Sequence, residues 1–445
     1  MNTQSTIATD IKMMEARANM ISEKTKESYI AILNEELVPA MGCTEPIAIA
    51  FASAILRDAL GAEPQKLHAS FSGNIIKNVK SVIVPSTGGK HGIESALAAG
   101  IIAGKPEMRL EVLQALGDDA GEAIDAFLGR CKIQIEEIPS GCAFELCLVG
   151  AAGDTRAEVR ILGAHTNVTL VQKNGEDLTE KYSLGKAIEN TYYRVDRSCL
   201  NVEDIVEFAE TVDISLVADL LRSQLEMNMA IAKEGLTNNW GASIGKLLME
   251  GEQTLSRRAR AHAAAGSDAR MSGCELPVCI ISGSGNQGIT ASVPLKIYAD
   301  EMNVSEEELL RALLVSDLIT IHQKNGIGCL SAYCGAVSAG VGAGAGICYL
   351  HGGRYYEIAH TLVNAVAIIS GTICDGAKPS CAAKIAMAIE AGIMGFEMAR
   401  SGRQFLGGDG IVTKGVENTI KNVGRLARDG MAGTDREIIS IMLGK

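Results

Sequence analysis

The chain has 445 residues, a net charge of −12 and a hydrophobic content of 47%, enough for a sizeable core spread over two or three domains. The acidic balance argues against a nucleic-acid or anionic-membrane partner, since either needs a face rich in Lys and Arg. With aromatics at 4% and 48 glycines, the chain is built for close backbone approach between Ala- and Gly-rich helices.

Residues 1–20 contain no apolar run of signal-peptide length, so a cytoplasmic protein is expected. Residues 24–38 read as an amphipathic helix. A second helix follows, with Thr44 as N-cap and Pro46 in its first turn, ending near Leu60. Alternating strand-like runs come next: Lys66–Ser72, Lys80–Val84, Lys132–Ile138, Ala143–Val149, Ala157–Leu162 and Asn167–Gln172. Helical stretches at Gly92–Ala103 and Gly121–Arg130 separate some of them. After Asn201 the pattern turns helical, interrupted by one strand-like run, Leu276–Ser282. The most apolar stretch, Cys334 to Leu350, falls short of a membrane span and reads as a buried helix. This organisation predicts an α/β domain over 61–200 and a helical domain over 201–445. The helices of 1–60 are expected to pack on the helical domain.

Several segments combine residues with chemical potential. Gly283-Ser-Gly-Asn-Gln-Gly288 matches G-x-G-x-x-G after an apolar strand, but lacks an evident βαβ unit and meets Pro294 early. It reads as a dinucleotide loop, a carboxylate-binding turn at a helix start, or a tight structural turn. Twelve cysteines are many for a protein without a secretion signal, and most are expected to be buried apolar residues. Three pairs share C-x4-C spacing, Cys142/Cys147, Cys274/Cys279 and Cys329/Cys334, which on a strand or helix chelates poorly. Cys374-Asp-Gly-Ala-Lys-Pro-Ser-Cys381 differs. Gly376 and Pro379 let the loop fold back, and Ser380 can cap a helix over Cys381–Met398. Two thiolates can then meet at a helix N-terminus, a setting for a metal or cluster as much as for two structural cysteines. Cys43, Thr44 and Glu45 place a thiol and a carboxylate at another helix start, where simple capping is the alternative. His322 and His351 read as structural. Lys324 or Lys378 could carry a pyridoxal phosphate, with no other signal for it.

Together GCTEP (42–46), SGNIIKN (72–78), LPVCIISGSGNQG (276–288), LSAYCGA (330–336) and ICDGAKPSC (373–381) resemble the L-cysteine desulfidase family, within the iron–sulfur L-serine dehydratase-like superfamily. The resemblance runs from about Glu27 to Ile439. It implies an α/β domain packed on a Gly/Ala-rich helical iron–sulfur catalytic domain of serine dehydratase alpha-like type. It also implies a [4Fe–4S] cluster on Cys334, Cys374 and Cys381, with Cys329 the rival of Cys334. Cys43 corresponds to the family's N-terminal cysteine, a displaceable fourth ligand or an acid/base, and is the first choice for the base. Glu45 and Lys324 join it as catalytic candidates. Ser284, Asn286 and Gln287 are the expected carboxylate-binding residues, with Thr44, Ser72, Asn74, Lys77 and Asn78 completing the substrate pocket. The implied activity is β-elimination from a small amino acid, L-cysteine favoured, without pyridoxal phosphate. L-serine dehydration and a non-enzymatic iron–sulfur sensor are the alternatives. A homodimer is a candidate assembly.

Overall fold

The structure is a computed structural model that describes residues 21–117, 119–139, 142–183, 195–328 and 330–444. In chain order, its first part holds α1 (Glu23–Glu36), β1 (Val38–Met41), α2 (Thr44–Leu60), β2 (Lys66–Phe71), α3 (Gly73–Val79), α4 (Gly92–Ala103) and α5 (Ala120–Arg130). Strands β3 (Lys132–Glu137), β4 (Glu145–Ala152), β5 (Thr155–Leu162), β6 (Val168–Lys173) and β7 (Glu176–Asp177) follow, then the single turn α6 (Thr179–Tyr182). The second part is helical: α7 (Val202–Thr211), α8 (Ala218–Thr237), α9 (Ile244–Met249), α10 (Leu255–Met271), β8 (Pro277–Ile280), α11 (Gly285–Met302) and α12 (Glu306–Ile327). It closes with α13 (Gly335–Leu350), α14 (Tyr355–Ile369), α15 (Cys381–Arg400), α16 (Val416–Arg425) and α17 (Ala432–Leu443).

The expected α/β-plus-helical fold class is the one observed. Six strands form one sheet in the order β3-β2-β4-β5-β6-β7. Only β2 and β3 are parallel, as a crossover through α3, α4 and α5 requires. Lys80–Val84 does not join the sheet. α3 ends at Val79 and Pro85 follows, leaving too short a run, and only Ile83 bridges to His91. The run Leu276–Ser282 does become a strand, β8, and pairs antiparallel with β1, Val38 opposite Ile280 and Met41 opposite Pro277.

The two N-terminal helices divide between the two parts, which corrects the expectation that both pack on the helical one. α1 goes there, with Tyr29 edge-on to Phe208 of α7 at 5.3 Å. α2 is buried along nearly its whole length and so needs cover on several sides. Its Leu56 and Leu60 seat over Gly150 of β4, and Arg57 binds the Ile101 and Gly104 carbonyls at the end of α4. At the other end of the chain, α17 returns to α3, where Lys77 Nζ meets Asp435 Oδ1 at 2.5 Å.

In the helical part, α13 is the buried centre. It crosses α15 through bare backbone: a Cβ on Gly344 would lie 2.5 Å from the Gly392 carbonyl oxygen, and one on Gly392 only 2.1 Å from that of Gly340. α11 runs straight through Pro294 instead of ending there. No helix among the described residues is long and apolar enough to cross a membrane.

Two predictions follow from this packing. Gly344→Ala inserts a methyl group where two backbones touch, and should lower unfolding free energy by about 1–3 kcal/mol in urea titrations. Asp317 of α12 is fully buried, and burial pushes its carboxyl up to about 7, against one hydrogen bond from Gln224 Nε2 at 3.0 Å. Its folded-state value exceeds the unfolded one, so its contribution is full below about pH 4 and is lost as pH rises through 7. Asp317→Asn should therefore gain stability over the wild type between pH 5 and 8.5, by at most ~4 kcal/mol. A constant gap across that range would refute the assignment.

Candidate active site

Four helices begin at one cavity. The first turns of α2 (Thr44, Glu45), α11 (Asn286, Gln287), α13 (Gly335, Ala336) and α15 (Cys381, Lys384) converge around about 790 Å³ of empty space, part of it open to solvent. A helix N-terminus carries unpaired N–H groups and the positive end of its dipole, so the cavity favours anions.

Cys334, Cys374 and Cys381 all line this cavity. A bridge between Tyr333 and Ile373 lays two loop segments side by side, with Cys334 N–H donating to the Thr372 carbonyl (3.0 Å) and Cys374 N–H to that of Ala332 (2.6 Å). The loop from Cys374 then turns back against α3. Gly376 has φ +96°, and a Cβ there would sit 2.5 Å from the Lys77 carbonyl oxygen. Cys381 opens α15, its thiol directed at the Gly376 carbonyl (3.7 Å). Ser380 precedes the helix as expected but its side chain makes no capping bond, because its own backbone is already helical. Cys334 and Cys374 share a hydrogen bond. Aided by the Lys77 charge and the Gly376 N–H, that bond draws Cys374 down to about 6, while the same contact and burial push Cys334 well up. Cys329 lies outside the described residues.

Cys43 clusters with Val82 and Met271, Ala377 and Cys381 pack on that cluster, and Cys43 lines the same cavity as the other three cysteines. Its thiol donates to Glu45 Oε2 at 3.0 Å. Glu45 Oε1 accepts from Asn78 Nδ2 at 2.9 Å and stands 3.9 Å from His165 Nε2. Burial alone would raise Glu45, but His165, Cys43 and Asn78 overcome it and hold the carboxyl near 2. Burial and the Glu45 charge push the Cys43 thiol well above its ordinary value.

The remaining sequence candidates divide. Lys324, Ser284, Asn286, Gln287, Thr44 and Asn78 line the cavity. The side-chain oxygens of Asn286, Gln287 and Asn78 are buried without a partner. Thr44 donates its hydroxyl to the Gly283 carbonyl at 2.7 Å and so fastens α2 to the glycine-rich turn. Ser72, Asn74 and Lys77 are not among the residues that line the cavity. Ser72 Oγ donates to the Ala143 carbonyl (3.0 Å), tying α3 to β4. Lys77 Nζ binds Asp435 and reaches the Cys374 carbonyl at 3.4 Å, behind the cysteine loop. The glycine-rich turn follows β8, whose sheet partner is the antiparallel β1, so the dinucleotide reading lacks its parallel βαβ frame.

Three cavity residues escaped the sequence reading. His165 sits in the β5–β6 turn and Arg270 in the last turn of α10, neither within a recognisable pattern. Lys384 follows Cys381 by three residues on one helix face, a spacing that was open to notice. Its Nζ binds the Ile373 carbonyl (2.8 Å) and Asp375 Oδ1 (2.6 Å), clamping the loop that carries Cys374.

The UPF0597 protein of Desulfitobacterium hafniense is 52% identical over 420 residues, covering 94% of this chain and 97% of that one. Those of Treponema denticola and Finegoldia magna are 43% and 44% identical, each over its whole length and over 95% and 94% of this chain. The model of the serine dehydratase alpha chain matches residues 107–440, more than half of the chain and all three cavity cysteines of the helical part. The chain belongs to the serine dehydratase alpha chain family.

Proposed function

We propose that the protein is a pyridoxal-phosphate-independent iron–sulfur lyase that removes the β-substituent of a small amino acid, with L-cysteine the favoured substrate. The observation that carries this reading is the gathering of Cys334, Cys374, Cys381 and Cys43 around one cavity. Thiolates are the ligands that iron–sulfur clusters use, and three of them leave one iron free for substrate. Among the described residues no three His, Cys, Asp or Glu side chains close around a single ion. The three cysteines line one cavity bordered by helix N-termini, where an anionic group is favoured.

Cys334, Cys374 and Cys381 would hold a [4Fe–4S] cluster. When bound, it supplies a Lewis acid beside the leaving group and the carboxylate. The other tasks fall to the chain's own residues. The start of α11 receives the amino-acid end of the substrate: its N–H groups suit a carboxylate, and the unpartnered oxygens of Asn286 and Gln287 suit an ammonium. Cys43 and Glu45 hold one proton between Sγ and Oε2, a pair poised to manage the α-proton. Asn78 and His165 fix the Glu45 carboxylate. Loss of the α-proton and of sulfide gives 2-aminoacrylate, which tautomerises to the imine and takes up water to yield pyruvate and ammonia.

The family description favours a second reading, L-serine as substrate and water as leaving group. Protein purified without oxygen and assayed for pyruvate from each amino acid separates the two. A higher kcat/KM for L-cysteine, with sulfide released in equal amount, supports the first reading. Turnover of L-serine alone replaces it with the second.

Cysteine variants test the roles. Cys374→Ser and Cys381→Ser should each lose most iron, acid-labile sulfide and visible absorption. Full retention by either would remove that residue from the ligand set. Cys43→Ser should keep its iron yet lose roughly 100- to 10,000-fold in kcat, the range of a positioned acid or base. Near-wild-type turnover by that variant would leave Cys43 only its place at the start of α2.

A further inference from the structure

Arg270 is the one strongly charged cavity residue whose donors no described group satisfies. It sits in the last turn of α10, only 3% exposed, and no described acceptor hydrogen-bonds to it; Nε is buried without a partner. The titratable groups whose field it feels are Cys43, Glu45 and Cys381, and burial keeps both thiols raised. Glu45 is already held by Cys43, Asn78 and His165, so its oxygens face other donors. The guanidinium lies against the first residue of α11. A Cβ on Gly285 would stand 2.4 Å from Arg270 Nε, so only a glycine there leaves room for it.

A guanidinium kept from water without an acceptor is strongly disfavoured unless a ligand completes it. Its planar fork matches a carboxylate by two parallel hydrogen bonds. Here it stands over a helix N-terminus that independently favours the same group. On the same helix start, Asn286 and Gln287 hold side-chain oxygens that are buried without donors. An unpaired cation and unpaired acceptors gathered at one helix start complement the two charged groups of an α-amino acid.

Resting on the amino-acid reading of this cavity, we infer that Arg270 is the carboxylate-binding residue of the site. It grips the substrate carboxylate at the start of α11, while Asn286 and Gln287 accept from its ammonium.

The test uses anaerobically purified holoprotein and two fragments of the substrate. 3-Mercaptopropionate keeps the thiol and carboxylate; cysteamine keeps the thiol and amine. Calorimetric binding is measured for wild type, Arg270→Gln and Arg270→Lys, with iron content and visible spectrum alongside. Arg270→Gln should keep its iron, weaken 3-mercaptopropionate by roughly tenfold to more than a hundredfold, and leave cysteamine binding unchanged. Arg270→Lys, which keeps charge but not the fork, should fall between. Equal weakening of both fragments, weakening of neither, or loss of iron would each overturn the inference, the last by making Arg270 a support of the cysteine wall. Should the variants misfold, wild type alone decides: it must prefer 3-mercaptopropionate to its uncharged methyl ester, and equal affinity overturns the assignment. If wild type binds neither fragment, the amino-thiol reading itself fails and takes the inference with it.

Discussion

Four helix N-termini aimed at one cavity are the constraint on which the site depends. Each of α2, α11, α13 and α15 brings unpaired N–H groups and a positive dipole end. No such convergence is neutral; it must be answered by negative charge. The chain places sulfur at or beside three of these starts, Cys43, Cys334 and Cys381, and a buried carboxylate, Glu45, in the first turn of α2. Arg270, Lys324 and Lys384 add cationic side chains around the same space. A chain with a net charge of −12 thus builds a local basin that favours anions.

The packing that holds these starts together is mostly backbone against backbone. α13 and α15 cross through Gly340, Gly344 and Gly392, and the crossing sets how near Cys334 and Cys381 can come. The loop between Cys374 and Cys381 is pinned from outside by α3 through Gly376, and α3 is pinned in turn by α17 through Lys77 and Asp435. The α/β part therefore does more than cover one face. It supplies Asn78 and His165 to Glu45 and presses the cysteine loop into shape. Clefts between two such layers are common places for small-ligand sites, since each layer fixes half of the contacts.

Much of this was legible from sequence, because periodicity reports burial. The sheet strands other than Lys80–Val84, the buried helix after Cys334 and the loop from Cys374 to Cys381 follow from alternation, apolar runs and turn residues. Three kinds of information were not local. The partner of β8 is β1, more than two hundred residues earlier, and nothing in a four-residue strand announces its mate. α2 is apolar on nearly every face, and such a helix does not say which neighbours will cover it. Arg270 and His165 become cavity residues only through tertiary packing, in an Ala-rich helix and an ordinary turn. Ser72 and Lys77 err in the opposite sense. They share a motif with Asn78, but helix geometry turns only part of a motif toward the cavity, and the rest ties the motif to its surroundings.

The state of the sulfurs follows from the same field. Burial alone would keep every thiol protonated, and for Cys43 it does, reinforced by the carboxylate it donates to. Cys374 escapes that rule because a second thiol donates to it and Lys77, Lys384 and the Gly376 N–H stand nearby. The two pairs are therefore opposites. In the first, the contact between Cys334 and Cys374 draws the Cys374 thiol down while Cys334 rises. In the second, Cys43 keeps its proton and donates it to Glu45 Oε2. Both stand on helix starts of one cavity, so the difference lies not in the dipoles they share but in what each thiol faces: lysines in one case, a carboxylate in the other.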